Sequence, residues 1–267
     1  MKHGGNKHRY ASVIKARPHS YTAYRSYFGQ WIDLFSEDLL NVNEVDVAIA
    51  LSNKCRWGGM CRPYFSVAQH QVVMHDHVME EVNDPFLALD ALTHDADEGF
   101  LDDKPTPIKS RYYILPPGNI EPVPYRDFEK TINSMIRRSI VPEIDPDVIS
   151  DYVKCLDDRI KADEWYRLFP IGVTPEWITK TTPLGVKIHP VLPEEAADQW
   201  LDRLRRTRRM INDQREKEAN FDHDAWKPTA SKKLAPDLVE TDWKREKEKF
   251  QEEAGVPVTE SKPLTED

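Results

Sequence analysis

The sequence has few cysteines and no long apolar run, and each of these absences excludes a class of protein. Three cysteines among 267 residues, Cys55, Cys61 and Cys155, do not predict a disulfide framework. No apolar run approaches the roughly 18 residues that a membrane span needs. The polar start MKHGGNKHRY also lacks the hydrophobic region of a signal peptide. We therefore expect a cytoplasmic protein that has no membrane partner.

Basic charge is not in excess either. The chain carries 46 acidic and 37 basic side chains, which gives a net charge of −9. A protein that binds nucleic acid through a broad basic face has the opposite balance, so nucleic acid is not expected as a partner. Small phosphorylated ligands remain compatible with this charge.

Composition and motif content predict three parts of unequal character. We expect an N-terminal extension over residues 1–20, a main domain over 21–210 and a tail over 211–267. The tail is dense in charged residues, and its few large apolar side chains are widely scattered. Such a composition predicts partial disorder, with one charged helix near residues 237–253.

Apolar residues in the main domain recur at helical spacing and predict an all-α fold. The only strands expected are a short hairpin within residues 21–31. Six helices are expected: after a cap at Asn43, over 67–81, over 85–98, over 128–140, over 149–160 and from Pro193 onward.

A proline-rich segment interrupts the helical pattern. Residues 110–125 contain four prolines and cannot form a helix. A loop of this length is either a lid over a binding site or a connector along the surface, and the sequence leaves both alternatives open.

The segment ALTHDADEGF, residues 91–100, carries the first candidate chemistry. His94 and Asp95 are adjacent near the expected end of the third helix, and Glu98 follows one turn later. On a continuous helix His94 and Glu98 would share a face. An imidazole and a carboxylate together can bind a divalent metal, and a second carboxylate nearby can orient or deprotonate a water.

Further ligands must come from other helices. His70 in SVAQHQ lies one helix upstream, and Asp157 in VKCLDD lies beside the apolar stripe of the fifth helix. Helical periodicity does not separate Asp157 from its neighbour Asp158. The order His, His-Asp, Asp along the chain resembles the metal-dependent phosphohydrolases of the HD-domain family.

The resemblance extends to other motifs. The segment CRWGG before SVAQH, HDADE followed by DDKPTPIK, and VKCLD followed by Glu164 are similar to one branch of that family. This branch contains the bacterial 5′-deoxynucleotidases and related phage-encoded HD hydrolases. The fold that the resemblance implies is an HD-domain helical bundle. For a phage-encoded member, the compartment would be the bacterial host cell.

The resemblance implies one divalent metal ion as cofactor. Its ligands would be His70, His94, Asp95 and Asp157, a donor set compatible with Co, Mn, Zn, Fe or Mg. Glu98 would act as the general acid or base. The match to VKCLD favours Asp157 over Asp158 as the fourth ligand.

Four more residues acquire roles from the same resemblance. Arg56 would grip the substrate phosphate, and Trp57 would pack on the sugar and exclude a 2′-hydroxyl. Asp103 would face the sugar, although Asp102 beside it leaves the register open. Lys109 would either add positive potential near the phosphate or be solvated.

The expected activity is hydrolysis of 2′-deoxynucleoside 5′-monophosphates to deoxynucleoside and phosphate. One alternative is a deoxynucleoside triphosphate triphosphohydrolase, and another is a non-catalytic nucleotide-binding module. The partner is in each case a small nucleotide. The oligomeric state is open, with a homodimer among the alternatives.

Two patterns look like sites but are interpreted otherwise. MHDHV, residues 74–78, repeats the His-Asp pair as His75 and Asp76, yet it shares a helix with His70. Because one helix cannot surround a metal, His75 and His77 are expected to face solvent. The C-x5-C spacing of Cys55 and Cys61 does not predict a zinc site, since structural zinc sites use closer pairs.

Overall fold

The computed structural model describes residues 23–36, 41–117, 119–169 and 172–219. Within these ranges the protein is mostly helical, as the apolar spacing predicted. The helices are α1 (Glu44–Ser52), α2 (Val67–Glu81), α3 (Pro85–Thr93), α4 (Glu98–Leu101), α5 (Thr106–Lys109), α6 (Tyr125–Ile140), α7 (Asp151–Leu168), α8 (Glu176–Thr179) and α9 (Pro193–Ala219).

Side-chain caps fix the starts of the helices that carry the site. Asn43 accepts hydrogen bonds from two backbone N–H groups at the start of α1, as predicted. Ser66 accepts from the Gln69 N–H at the start of α2, and Ser150 accepts from the Val153 N–H at the start of α7. Each cap satisfies a donor that has no partner within the helix.

Two short antiparallel hairpins accompany the helices. Strands β1 (Ala23–Arg25) and β2 (Trp31–Asp33) pair with Tyr24 opposite Ile32, which confirms the predicted N-terminal hairpin. Strands β3 (Tyr113–Ile114) and β4 (Val123–Pro124) pair within the proline-rich segment. The sequence did not predict this second hairpin, because two-residue strands leave no alternating pattern to recognise.

The central packing brings α1, α2 and α3 against the long helix α9. Trp200 of α9 is fully buried there, and its indole N–H donates to the Gln71 side chain and the Leu92 carbonyl. A second apolar cluster joins α2 and α3 to α7 through Met74, Ala88 and Leu156. The polar faces of α2, α3 and α7 therefore meet beside a close-packed core.

The third helix is shorter than predicted. It ends at Thr93 rather than at Glu98, and residues 94–97 form a turn before α4. Asn133 of α6 donates to the His94 carbonyl, the group that the Glu98 N–H would use in a continuous helix. The Glu98 N–H donates instead to the Asp95 carbonyl, three residues back. The expectation that His94 and Glu98 share one helix face was wrong for this reason.

The second His-Asp pair also lies differently from the prediction. His75 is buried rather than solvent-facing, and its Nε2 is 2.8 Å from Thr207 Oγ1 of α9. His77 is partly buried. The prediction was wrong because α9 covers this face of α2, a contact between residues far apart in sequence.

The last helix continues beyond residue 210, where the composition changes. α9 runs to Ala219, and Ile211 on its apolar side is fully buried. The predicted charged helix over residues 237–253 lies outside the described residues, as does the predicted N-terminal extension. Among the residues that the structure describes, no helix is long and apolar enough to cross a membrane.

Candidate metal centre

Four side chains from three segments meet at the junction of α2, α3 and α7. His70 comes from α2, His94 and Asp95 from the turn after α3, and Asp157 from α7. One potential ligand atom of each lies within 4.8 Å of the others, so the group could hold a metal ion. The structure thus brings together the four residues that the sequence selected.

Both imidazoles are oriented by their Nδ1 atoms. His94 Nδ1 is 2.9 Å from the Ala91 carbonyl, which can only accept, so Nδ1 carries the proton. His70 Nδ1 is 2.5 Å from Glu164 Oε1. The two Nε2 atoms are buried and make no well-formed hydrogen bond within the described part of the chain, but His70 Nε2 lies 3.2 Å from Asp157 Oδ1 and His94 Nε2 lies 3.1 Å from Asp95 Oδ2. Metal-binding histidines are commonly held in this way, with the other ring nitrogen donating to a carboxylate or carbonyl.

The two carboxylate oxygens of Asp157 face different groups, one the centre and the other a lysine. Its Oδ1 is 3.2 Å from His70 Nε2 and 4.0 Å from His94 Nε2, and it accepts no hydrogen bond from any described residue. Its Oδ2 is 2.6 Å from Lys161 Nζ. Asp158 points to solvent. The geometry therefore selects Asp157, which periodicity alone did not separate from Asp158.

The electrostatics of the centre favour a bound cation. Burial alone would lower the pKa of His94, but the Asp95 and Asp157 carboxylates raise it to about 9. Burial alone would raise the pKa of Asp95, but the facing His94 holds it well below the usual value. The potential ligand atoms are buried next to two carboxylates, and this negative electrostatic field favours a divalent metal ion. The ion would have to displace the proton that the raised pKa keeps on His94.

The centre opens into a pocket of about 300 Å³. Its walls come from the turn after α3, the start of α7 and the metal-facing part of α7. The lining residues are His94, Asp95, Ile149, Lys154, Asp157 and Asp158. A small ligand entering this pocket would reach the same atoms of His94, Asp95 and Asp157 that could bind a metal.

Arg56 lies behind the ligands rather than in open solvent. It is buried, and its Nη atoms are 3.8 Å from Asp95, 3.9 Å from Asp157 and 3.5 Å from Glu164. Burial alone would lower the pKa of Arg56, but the surrounding carboxylates raise it overall. The guanidinium therefore stays charged and offsets part of the negative charge of the centre.

Trp57 is held at both its backbone and its ring. Its N–H donates to Asp103 Oδ2 at 2.7 Å, and its indole Nε1 donates to Glu164 Oε2 at 2.9 Å. The ring packs beside three aromatic side chains of the C-terminal half: Trp165, Phe169 and Trp177. Asp103, rather than Asp102, thus contacts the Arg56–Trp57 segment.

Glu98 is buried and pairs with Lys109. Lys109 Nζ is 3.1 Å from Glu98 Oε1 and 3.0 Å from Glu129 Oε1. The lysine side chain is 19% exposed, so it is not simply solvated. Burial first, and then the charges of Asp95 and Asp103, raise the pKa of Glu98 well above its usual value. Its Oε2 is buried and has no hydrogen-bond partner in the described ranges.

Sequence reasoning assigned no role to two residues of α7 that orient the centre. Glu164 lies seven residues after Asp157, two helical turns, and therefore on the same face. Lys161 lies one turn after Asp157 and binds its outer oxygen. The sequence signal for these roles was the spacing of Asp157, Lys161 and Glu164, which places all three on one helix face. That spacing does not reveal which residues of other helices this face contacts.

Comparison with known proteins adds one relative of undefined activity. A protein of Escherichia coli (strain K12), described as uncharacterized protein YfdR, is 34% identical to this chain over 134 residues. The match covers 50% of this chain and 64% of that protein. No protein-family model matches the chain.

Proposed function

We propose that the protein is a metal-dependent phosphohydrolase that cleaves 2′-deoxynucleoside 5′-monophosphates to deoxynucleoside and phosphate. The observation that carries the proposal is the convergence of two imidazole nitrogens with two carboxylates, where three of the four residues, His94, Asp95 and Asp157, line a small pocket. The His, His-Asp, Asp order of these ligands supports an HD-domain fold for the helical bundle.

The proposed cofactor is one divalent ion held by His70, His94, Asp95 and Asp157. Two imidazoles with two carboxylates suit first-row transition metals such as Mn, Co, Fe and Zn. When bound, such an ion lowers the pKa of a water molecule and offsets negative charge on the phosphoryl group.

Glu98 is the proposed proton donor. Its raised pKa keeps the carboxyl group protonated at higher pH than an ordinary glutamate, and Lys109 occupies Oε1. The unpaired Oε2 would donate its proton to the leaving 5′-oxygen of the sugar. Arg56 would supply positive charge next to the phosphate from behind Asp95 and Asp157.

The pocket and its charges are compatible with a monophosphate. A volume of about 300 Å³ is at the lower end of the range for ligand pockets. Lys154 is the single basic residue among its lining residues, whereas three phosphate groups would call for several cations. A triphosphohydrolase and a non-catalytic binding module are therefore outcomes that the test must distinguish.

The test is a product assay with the full-length protein. Metal-free protein would be supplemented separately with Mn²⁺, Co²⁺, Zn²⁺, Fe²⁺ or Mg²⁺ and given deoxynucleoside mono-, di- and triphosphates. We expect inorganic phosphate from monophosphates, and faster release from dAMP than from AMP. Release of triphosphate from dNTPs would replace the substrate assignment, and no product under any of these conditions would overturn the proposed hydrolysis.

A further inference from the structure

Glu164 occupies a position between the candidate metal centre and the Arg56–Trp57 segment. It lies on α7 two turns after Asp157, and its side chain is fully buried. A buried carboxylate is costly unless charged partners and hydrogen bonds compensate it. The hydrogen-bond and charged partners of Glu164 therefore explain how this buried carboxylate is stabilised.

One carboxylate oxygen faces the metal ligand. Glu164 Oε1 is 2.5 Å from His70 Nδ1, while Nε2 of the same ring faces Asp157. The carboxylate thus fixes both the rotation of the His70 ring and the nitrogen that remains free to bind a metal. Loss of such a partner typically lowers metal affinity about 10- to 100-fold.

The other oxygen faces the Arg56–Trp57 segment, which the family resemblance assigns to substrate binding. Glu164 Oε2 accepts from Trp57 Nε1 at 2.9 Å and lies 3.5 Å from an Arg56 Nη atom. The two ends of one carboxylate are therefore committed to two different segments of the chain. Among the residues that the structure describes, no other carboxylate contacts both a candidate metal ligand and Trp57.

The Trp57 backbone depends on these contacts. Trp57 has a φ of 60°, in the left-handed region that side chains other than glycine rarely adopt. Such a conformation persists only where the surroundings determine it. The Trp57 N–H donates to Asp103, its indole N–H donates to Glu164, and its carbonyl accepts from the Met60 N–H.

We propose that Glu164 is a positioning residue that couples metal binding at His70 to the placement of Arg56 and Trp57. His70 would hold the metal through Nε2, and a bound cation would make Nδ1–H a stronger donor to Glu164 Oε1. The Glu164 carboxylate, held by His70, in turn fixes the position of the oxygen that accepts from the Trp57 indole N–H. Because coupling between two equilibria is reciprocal, disturbing Trp57 must also weaken metal binding.

The experiment follows the indole of Trp57 in metal-free, full-length protein labelled with ¹⁵N-tryptophan. Trp57→Phe identifies its indole N–H resonance, and Zn²⁺ is the probe because it is diamagnetic. We expect Zn²⁺ to shift this resonance in the parent protein. In Glu164→Gln the amide has one acceptor oxygen and cannot accept from both His70 Nδ1 and Trp57 Nε1, so the shift should disappear.

Metal affinity is measured on the same proteins by competition with a chromophoric chelator. Glu164→Gln should weaken Zn²⁺ binding about 10- to 100-fold. Trp57→Phe retains an aromatic ring among its neighbours but removes the indole donor, and it should weaken Zn²⁺ binding about fivefold. Asp163→Asn is the matched control, because Asp163 lies on the same helix but accepts hydrogen bonds from Leu184 and Gly185. It should bind Zn²⁺ like the parent protein.

Any of three results overturns the proposal: an indole resonance that saturating Zn²⁺ does not move, parental Zn²⁺ affinity in folded Glu164→Gln, or parental Zn²⁺ affinity in Trp57→Phe. If Glu164→Gln does not fold, the parental resonance and the Trp57→Phe affinity still decide. None of these measurements requires hydrolysis, so the coupling stands or falls separately from the proposed activity.

Discussion

Two His-Asp pairs lie within the residues that the structure describes, and their surroundings differ. At His75-Asp76 both ring nitrogens are occupied, one by the Asp76 carboxylate and the other by Thr207. At His94-Asp95 the ring is fixed by the Ala91 carbonyl, and Nε2 makes no well-formed hydrogen bond but lies 3.1 Å from Asp95 Oδ2. The difference teaches that, in this protein, the His-Asp pair of the candidate metal centre is the one whose Nε2 faces only carboxylates that could bind the same ion.

The carboxylates of the two pairs also differ, because an arginine hydrogen-bonds to Asp76 but not to Asp95. Asp76 accepts two hydrogen bonds from the Arg203 guanidinium, at 3.1 and 3.0 Å. Asp95 has Arg56 at 3.8 Å, beyond hydrogen-bond distance, and faces Asp157 across the centre. The first pair completes a packing contact between α2 and α9, whereas the second keeps its ligand atoms available.

The largest expected effect separates Asp95 from Asp76. Asp95→Asn should lose nearly all bound metal and nearly all phosphate release, a loss beyond the roughly 10- to 100-fold typical of residues that only support a ligand. Asp76→Asn should retain its metal. Metal content by elemental analysis and turnover measured on both variants test this. Equal metal content in the two variants would remove Asp95 from the centre.

A similar contrast applies to Asp157 and Asp158. Asp157→Asn removes the negative charge of a carboxylate whose Oδ1 lies 3.2 Å from His70 Nε2. Asp158, by contrast, forms an ion pair with Lys161 and with no other residue that the structure describes. We expect metal affinity to fall by about 100-fold or more in the first variant and to stay near parental in the second. Chelator competition measures both, and a mild, equal loss would contradict the assigned ligand.

The segments that follow the two pairs provide a third contrast. Glu98 follows His94-Asp95 and is buried, whereas Glu80 follows His75-Asp76 and is exposed. Glu98→Gln should keep its metal but lose on the order of 10²- to 10⁴-fold in rate, the usual contribution of a positioned acid or base. Glu80→Gln is the matched control and should turn over normally. A Glu98→Gln variant as fast as the control would make the glutamate purely structural.

A smaller effect concerns stability rather than chemistry. His75→Ala leaves Thr207 buried without its ring partner, and an unsatisfied buried group costs about 1 to 3 kcal/mol. Urea denaturation should report that loss, while Zn²⁺ affinity should remain parental. A large fall in Zn²⁺ affinity in the folded variant would mean that the two His-Asp pairs are coupled.

The smallest expected effect is the pH dependence of the same pair. Burial alone would raise the pKa of Asp76, but hydrogen bonds from His75 and Arg203 lower it overall. A lowered pKa stabilises the folded state above the ordinary aspartate value of about 3.9, and this stabilisation is lost as the pH falls through the lowered value. The stability gap between the parent protein and Asp76→Asn should therefore narrow in acid, as urea titrations from pH 7 to 3 would measure. A constant gap would contradict the assigned charge.

Local pattern predicted the helices more reliably than their ends. The expected bounds of α2, residues 67–81, match the structure, because its cap and its apolar spacing are both local. The end of α3 was wrong because Asn133, on a helix far along the chain, takes the His94 carbonyl. His75 was wrong for the same kind of reason, since its partner Thr207 lies on α9.

The sequence by itself determined the helical character and the four residue types that could bind a metal, in their order along the chain. The tertiary structure decided that Asp157 rather than Asp158 faces the centre, that neither Nε2 atom makes a well-formed hydrogen bond within the described residues, and that Glu164 joins His70 to Trp57. The physical reason is range: helical periodicity follows from neighbouring residues, whereas the hydrogen-bond partners of a side chain depend on how distant helices pack.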